Sequence, residues 1–253
     1  MSNTQAKVHF PDGTPVAQRH EITHLGCMLN METDTTREVK ARISTCMAIL
    51  KKLDLYWIHA DCPIKWKILV LDAVVKSKLL YGLDTAMLSD AALRKINGFQ
   101  LKGLRKILKL KTTFVERTNT NAFVYQTARS HTDGEDGREC PKPFSQSYKE
   151  ARTQRVARLL EKSPSDPERY ATLDEASIWN FPSKRLGRPK DKWAAHGLRD
   201  LWNRIKTKQP QIPNAHLEIN TAKTGVDSNK LIIQTLLELE EHTPGELARA
   251  ARE

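Results

Sequence analysis

The chain has 253 residues, of which 39% are hydrophobic, and it carries a formal net charge of +11. This is enough chain for one large soluble domain or two small ones, and no stretch approaches the roughly 20 apolar residues that span a bilayer. The basic balance favours an anionic partner, with nucleic acid ahead of a membrane surface, although a high charge can also serve solubility alone.

Neither the N-terminus nor the cysteines indicate secretion. The first ten residues, MSNTQAKVHF, lack the apolar core of a signal peptide. The four cysteines are far apart and have no paired spacing, so neither a zinc site nor a disulfide framework is indicated. We expect reduced, mostly buried thiols in a nuclear or cytoplasmic protein.

Residues 1–30 differ in pattern from everything that follows. Two short extended runs, KVHFPDGTPV and EITHLGCMLN, are separated by a turn signal at Pro11, Asp12 and Gly13. Extended runs on both sides of a turn of this kind predict a β-hairpin.

The next segment has helical periodicity. Apolar residues recur at helical spacing from Val39 to Trp57, and we expect Trp57 to lie in the core. Thr35 followed by Glu38 predicts a capping box at the start of this helix. The sequence ADCP ends the run, and Pro63 is well placed as the first residue of a second helix.

The second and third helices complete a predicted bundle. The second, IKWKILVLDAVVKSKLLYG, is apolar on most sides, ends at Gly82 and is expected to bury Trp66 and Tyr81. The third, AALRKINGFQLKGLRKILKLK, follows a cap at Ser89 or Asp90.

Beyond residue 128 the pattern becomes less regular. A polar linker, RSHTDGEDGRECPKPFSQS, precedes a basic helix, a Pro-rich stretch, and a helix with sequence KDKWAAHGLRDLWNRIK whose core we expect to be incomplete. A second loose segment leads to a short amphipathic helix, NKLIIQTLLELEEH. We therefore divide the chain into a hairpin (1–30), a helical bundle (31–128), a linker (129–147), basic connector helices with a Gly-Arg-Pro segment (148–206) and a loose tail with a C-terminal amphipathic helix (207–253).

The predicted fold class is mostly α. A short N-terminal β-hairpin is followed by a helical bundle, and then by loosely packed helices with disordered linkers.

The positive charge is concentrated between residues 65 and 111. This segment contains eleven lysines and arginines but only three acidic residues. A helix face of this kind can follow a phosphate backbone through counterion release, without base-specific contacts. The alternative is a solvated helix face. We predict nucleic-acid contacts within this segment at Lys65, Lys67, Lys95, Lys102, Arg105, Lys106, Lys109 and Lys111.

The sequence lacks the residue constellations that catalysis would require. His20 and His24 are four residues apart but lie in an extended segment, and no acid or cysteine nearby completes a metal site. The chain has no nucleophile elbow, phosphate-binding loop, dinucleotide fingerprint or Tyr-x-Asp-Asp motif for two-metal phosphoryl transfer. We predict no catalytic residue, metal or cofactor, and therefore no enzyme activity in this chain alone.

The stretch SKRLGRPKDKW admits two interpretations. An arm that enters the minor groove of A·T-rich DNA has Arg-Gly-Arg-Pro, but here Leu186 takes the place of the first arginine. We therefore favour a basic connector in which Asp191 caps the following helix, with accessory phosphate contacts from Lys184, Arg185 and Arg188.

Five short motifs follow one another in order between about residues 8 and 193. They are VHFPDGTPV with HEITHLGCMLN, then KARI, then LLYG followed by Asp84-Thr85, then Gln100 with LRKIL at 104–108, and finally ARTQRVARLLEK with KRLGRPKDKW. Together they resemble the C-terminal part of the reverse transcriptases of non-LTR (LINE-type) retrotransposons. In that family a YLG hairpin grips the primer, and His24, Leu25 and Gly26 stand at its position, with His for Tyr.

The resemblance implies a helical thumb domain and a connector, downstream of a palm whose catalytic acids would precede Met1. A thumb holds the primer–template duplex through its backbone. We therefore expect a non-catalytic fragment or remnant of a LINE-type RNA-directed DNA polymerase that binds RNA, DNA or an RNA–DNA duplex without sequence preference. The missing catalytic part of a polymerase is a further expected partner. The alternatives are a helical protein-interaction module with no nucleic-acid role, or a pseudogene product.

Overall fold

The structure, a computed structural model, describes residues 9–15, 21–24, 27–30, 35–132, 141–163, 165–173, 193–208, 235–237, 239 and 245–252. Over these ranges the chain is mostly α-helical and has a short antiparallel hairpin near its N-terminus, which confirms the predicted fold class. None of the described helices combines the length and the apolar character that crossing a bilayer requires.

The hairpin lies within the second extended run rather than between the two runs. Strand β1 (Glu21–His24) pairs with β2 (Cys27–Asn30), with Glu21 opposite Asn30 and His24 opposite Cys27. Within residues 9–15, which the structure describes, the turn at 11–13 closes one bridge, between His9 and Pro15.

The first predicted helix is divided in two. Helix α1 (Thr36–Lys52) ends at Leu53, and α2 (Asp54–His59) follows it directly. The predicted capping box is wrong, because both of its side chains have other partners. The Thr35 hydroxyl donates to the Met87 carbonyl, 3.1 Å away, and the Glu38 carboxylate accepts from Arg42 on the next turn.

The second predicted helix is one helical stretch with a wide turn in its middle. It consists of α3 (Ile64–Val70), a π-helical segment (Leu71–Lys76) and α4 (Ser77–Leu80). Pro63 immediately precedes it, and Gly82 at φ 65° ends it in the left-handed conformation that favours glycine. A Cβ on Gly82 would also lie 2.7 Å from the Cys27 sulfur, so the glycine lets the hairpin approach closely.

Two further helices complete the first bundle. Helix α5 (Asp90–Ile107) begins after Ser89, whose side chain accepts from the Ala92 N–H as a cap, and α6 (Asn121–Ser130) begins in the same way after Thr120. The periodic apolar residues of α5 are buried against α1, α2, α3 and α6.

The described part of the second half of the chain includes the helices α7 (Phe144–Glu161), α8 (Pro167–Leu173), α9 (Trp193–Lys208) and α10 (Glu246–Arg252). Helices α7, α9 and α10 share a second core. Its buried residues are Val156, Ala157, Leu160, Ala194, Leu198, Leu201, Trp202, Ile205, Leu236, Leu247 and Ala251. The core beneath α9 is thus complete, and the packing there is closer than the sequence pattern suggests.

Helix α7 belongs to both cores. Phe144 and Tyr148, in its first half, are buried with the first bundle, and Val156 and Leu160, in its second half, are buried with α9 and α10. Packing is therefore continuous across the predicted linker at 129–147, of which residues 133–140 lie outside the described ranges.

The predicted core aromatics do not behave alike. Trp57 is fully buried and donates its indole N–H to the Leu50 carbonyl at 3.1 Å. Trp66 and Tyr81 are more than half exposed, so the prediction of core positions is wrong for both. Their helical stretch is apolar on most sides, which leaves the pattern unable to tell which side faces the core.

Candidate nucleic-acid interface

The exposed face of α5 carries two of the predicted lysines. Because residues such as Ile96, Phe99 and Leu104 point into the core, Lys95 and Lys102 project on the opposite side and are exposed. They are seven residues apart, which places them two helical turns, or about 10 Å, from one another. Both residues are absent from the ion pairs found among the described residues.

The basic face continues past the end of α5. Lys109 has φ 57°, and the N–H groups of Lys109 and Leu110 bond to the Lys106 and Arg105 carbonyls at 3.3 and 2.9 Å. This is a Schellman arrangement with lysine at the position that glycine usually takes. Lys109 and Lys111 are both exposed, so the chain leaves the helix with two further cations in solvent.

Three predicted nucleic-acid contacts instead stabilise the fold. Lys67 is only 6% exposed, and its ammonium donates to the Trp57 carbonyl at 3.0 Å. Lys106 pairs with Asp54 and so joins α5 to α2. These contacts contradict a phosphate-binding role for Lys67 and compete with one for Lys106, because a cation bound inside the protein is not available as a free charge.

Arg105 is the third of these residues. Its guanidinium donates to the Asn119 carbonyl at 3.2 Å and to the Asn121 side chain at 2.9 Å. It therefore holds the segment between α5 and α6 against the end of α5, beside the exposed Lys102 and Lys109. These bonds support the neighbouring surface and compete with the predicted phosphate contact of Arg105, which stays a prediction.

The remaining predicted residues lie elsewhere. Lys65 is half-buried on α3, and His24 is exposed on β1 opposite Cys27. The other members of the primer-grip and connector predictions lie outside the described residues, namely Leu25, Gly26, Lys184, Arg185, Arg188 and the Asp191 cap. The described interface is therefore the outer face of α5 with the first residues after it: Lys95, Lys102, Lys109 and Lys111.

Several residues of the five motifs make internal contacts rather than forming this face. Arg42 of KARI donates to the Leu79 and Tyr81 carbonyls of LLYG and approaches the Cys27 sulfur at 3.2 Å. It also pairs with Glu38, so this buried arginine joins the hairpin, α1 and α4.

Gln100 of α5 is a second residue whose side chain connects several elements. Its amide donates to the Lys142 carbonyl, and its oxygen accepts from the Phe144 N–H and the Tyr125 hydroxyl, each at 2.8 Å. It thereby connects α5 to α6 and α7. Burial raises the pKa of Tyr125 to about 12.

Asp84, which follows LLYG, is a third residue that connects elements distant in the chain. Its backbone carbonyl accepts from the Trp193 indole N–H at 2.6 Å, and its carboxylate lies 3.6 Å from the Arg155 guanidinium. Trp193 comes from the connector motif and Arg155 from the basic helix. Residues from two of the five motifs, which are distant in sequence, therefore meet at one point.

One exposed feature of this region has no counterpart in the sequence predictions. Phe114 and Val115, in the segment between α5 and α6, are exposed beside Lys111. In the sequence, these residues stand out as an aromatic and a β-branched residue within the non-periodic, polar stretch KTTFVERTNT. Sequence alone does not show that such residues are exposed.

Comparisons of the chain with protein-family models, with curated proteins and with solved structures find no match.

Proposed function

We propose that this chain binds nucleic acid through backbone phosphates, without sequence preference, on the outer face of α5 and the residues that follow it. The observation that carries the proposal is the row of exposed cations Lys95, Lys102, Lys109 and Lys111. Asp90, in the first turn, is the one acidic residue of α5. Four exposed cations on α5 and the residues that follow it favour a polyanion, and a flexible lysine neutralises phosphate without reading a base.

We further propose that the chain is a non-catalytic part of the LINE-type reverse transcriptase lineage. The internal contacts of Arg42, Gln100 and Asp84 support this origin, because they give the order of the motifs a structural reason. In this proposal the motif residues maintain a thumb-like scaffold, while the exposed lysines hold a primer–template duplex.

The test is a salt series of binding measurements with a fluorescently labelled primer–template duplex. The variant K95E/K102E/K111E removes three proposed contacts. The control, K40E/K78E/R158E, makes the same change of net charge at exposed positions on α1, α4 and α7. For the wild type, we expect the logarithm of the binding constant to fall linearly with the logarithm of salt concentration.

The α5 variant should bind more weakly, and its salt slope should be shallower by about 1 for each lysine removed. The control should keep a slope close to that of the wild type. The proposal fails if wild-type affinity is insensitive to salt, or if both variants lose affinity equally. The latter result would show that only the total charge matters.

A second candidate function is that of a helical protein-interaction module. Leu55 and Ile58 are exposed on α2 one turn apart, and Trp66 is exposed on α3. Large apolar side chains in solvent are typical of surfaces that bind another protein. A stable, nucleic-acid-free oligomer in size-exclusion chromatography with light scattering, dissociated by L55E/I58E, would support this candidate.

A further inference from the structure

The segment that joins α5 to α6, residues 108–120, exposes an apolar tip. The Phe114 side chain is 97% exposed and that of Val115 is 64% exposed. Such a ring gains almost nothing from the fold of its own chain, whereas burying it would be favourable. We call this segment the α5–α6 loop.

The α5–α6 loop is held in place at its base. Asn119 is buried, and its side-chain amide donates to the Lys111 carbonyl at 3.0 Å, which ties the two ends of the loop together. Arg105 of α5 donates to the Asn119 carbonyl, as described above. The Thr112 carbonyl accepts from the N–H groups of Val115 and Glu116, both at 2.9 Å. The exposed ring therefore projects from a hydrogen-bonded turn that is attached to the basic helix.

The loop that carries the ring has an excess of positive charge. Lys109, Lys111 and Arg117 are exposed in the loop. The one acidic residue of the loop, Glu116, accepts from the Thr118 hydroxyl at 3.1 Å and lies 3.5 Å from the Asn119 amide. An aromatic ring among cations matches a ligand that has both flat apolar groups and phosphates. Nucleic acid has both.

We propose that Phe114 stacks on an unpaired base of a nucleic-acid strand whose phosphates contact Lys109 and Lys111. This inference rests on the proposed function, and it adds the kind of ligand that the site prefers. Inside a duplex both faces of each base are covered by its neighbours. The ligand is therefore a single strand, or the unpaired overhang of a primer–template.

The first test compares F114A with wild type on an oligonucleotide that has a single-stranded overhang. We expect a loss of affinity of about 5- to 100-fold, the range for removing one aromatic–base stack. The salt slope should stay unchanged, because no charge is removed. F114W should keep the wild-type affinity. The control Y170A removes another exposed aromatic, on α8, and should have no effect.

The second test locates the stacked base. A series of oligonucleotides carries one abasic nucleotide at each position in turn. Wild type should lose affinity when the abasic site reaches the nucleotide that contacts Phe114, and F114A should not lose more at that position. Such coupling is the mark of a direct contact between the ring and the base.

The outcomes separate this inference from the proposed function. If K95E/K102E/K111E weakens binding while F114A binds as wild type does, the stacking inference is wrong and the phosphate-binding proposal stands. If wild type does not bind nucleic acid, both are wrong. If F114A instead loses binding to anionic phosphatidylserine vesicles and keeps its affinity for the oligonucleotide, the ring serves a membrane surface and the inference is overturned. Because Phe114 is exposed, F114A should unfold at the same temperature as wild type.

Discussion

The lysines on and near α5 have two different roles, which depend on whether another group of the protein pairs with the ammonium. The ammonium of Lys67 is buried and bonds to the Trp57 carbonyl, and the half-buried Lys106 pairs with Asp54. Lys95 and Lys102 face solvent. A buried cation must be paired to offset its lost hydration, whereas an exposed one remains available to a polyanion.

At this scale the sequence predicts which faces are charged but not which charges are free. The spacing of Ile96, Phe99 and Leu104 correctly places Lys95 and Lys102 outside the core. Nothing local indicates that Asp54, 52 residues away, approaches Lys106. The capping-box prediction fails because both side chains have competing partners: Met87, distant in sequence, for Thr35, and Arg42, on the next turn of the helix, for Glu38.

The left-handed backbone of Lys109 supports a prediction about stability. A side chain with φ near 57° is strained by its Cβ, whereas glycine is not. We expect K109G to raise the free energy of unfolding by about 1 kcal/mol. K109A removes the same charge but keeps a Cβ, and should gain little. Urea unfolding followed by circular dichroism measures both, and equal stability of the two variants would contradict this account.

Hydrogen bonds from a few polar residues connect the elements to one another, whereas the surfaces along which the helices pack are apolar. Arg42, Gln100 and Asp84 each join at least two elements through backbone carbonyls or N–H groups. The sequence shows these residues as parts of motifs. The sequence does not show which elements these residues connect, because the contacts form between elements far apart in the chain. The helices themselves are local, which is why their order was predictable.

Two helical glycines provide a prediction at this scale. A Cβ on Gly197 of α9 would lie 2.5 Å from a methyl carbon of Val156 on α7, and valine has little freedom to move away. We expect G197A to destabilise the protein by about 1–3 kcal/mol through overpacking. A Cβ on Gly98 of α5 would meet nothing within 4 Å, so G98A is the matched control.

The control should change stability in the opposite direction. G98A should stabilise α5 by about 0.5–1 kcal/mol, the usual cost of glycine inside an exposed helix. Thermal unfolding of the two single variants tests the pair. A stable G197A would mean that α7 and α9 do not approach as closely as the structure shows.

The whole molecule is organised around α7, which is buried in both cores. At its start the Phe144 N–H donates to the Gln100 side chain, and the Tyr148 hydroxyl donates to the Ala86 carbonyl at 2.6 Å. Its second half packs on α9 and α10. Composition indicated a linker before α7 and loose helices after it. Its moderately polar sequence does not indicate that its two ends are buried by different partners, since this burial arises from contacts between residues distant in the chain.

Two tyrosines packed in the first core, Tyr125 on α6 and Tyr148 on α7, predict how stability changes at high pH. Burial raises the pKa of Tyr148, and it raises the pKa of Tyr125 to about 12. Below about pH 10 both phenols are neutral whether the chain is folded or unfolded, so they add no pH dependence. Above it, the unfolded chain loses these protons while the folded chain retains them. The free energy of unfolding should therefore fall as the pH rises from 10 towards 12.

Urea unfolding at intervals between pH 9 and pH 11.5 measures this fall. Each buried tyrosine should contribute up to about 1.4 kcal/mol per pH unit in that window. Y125F and Y148F should each have a shallower slope than wild type, because phenylalanine has no proton to lose, and the double variant should have the shallowest. Lysine deprotonation also affects stability in this range, but it is common to all variants. The exposed Tyr170, changed to phenylalanine, is the control, and an equal slope in wild type and Y125F/Y148F would contradict the burial of these hydroxyls.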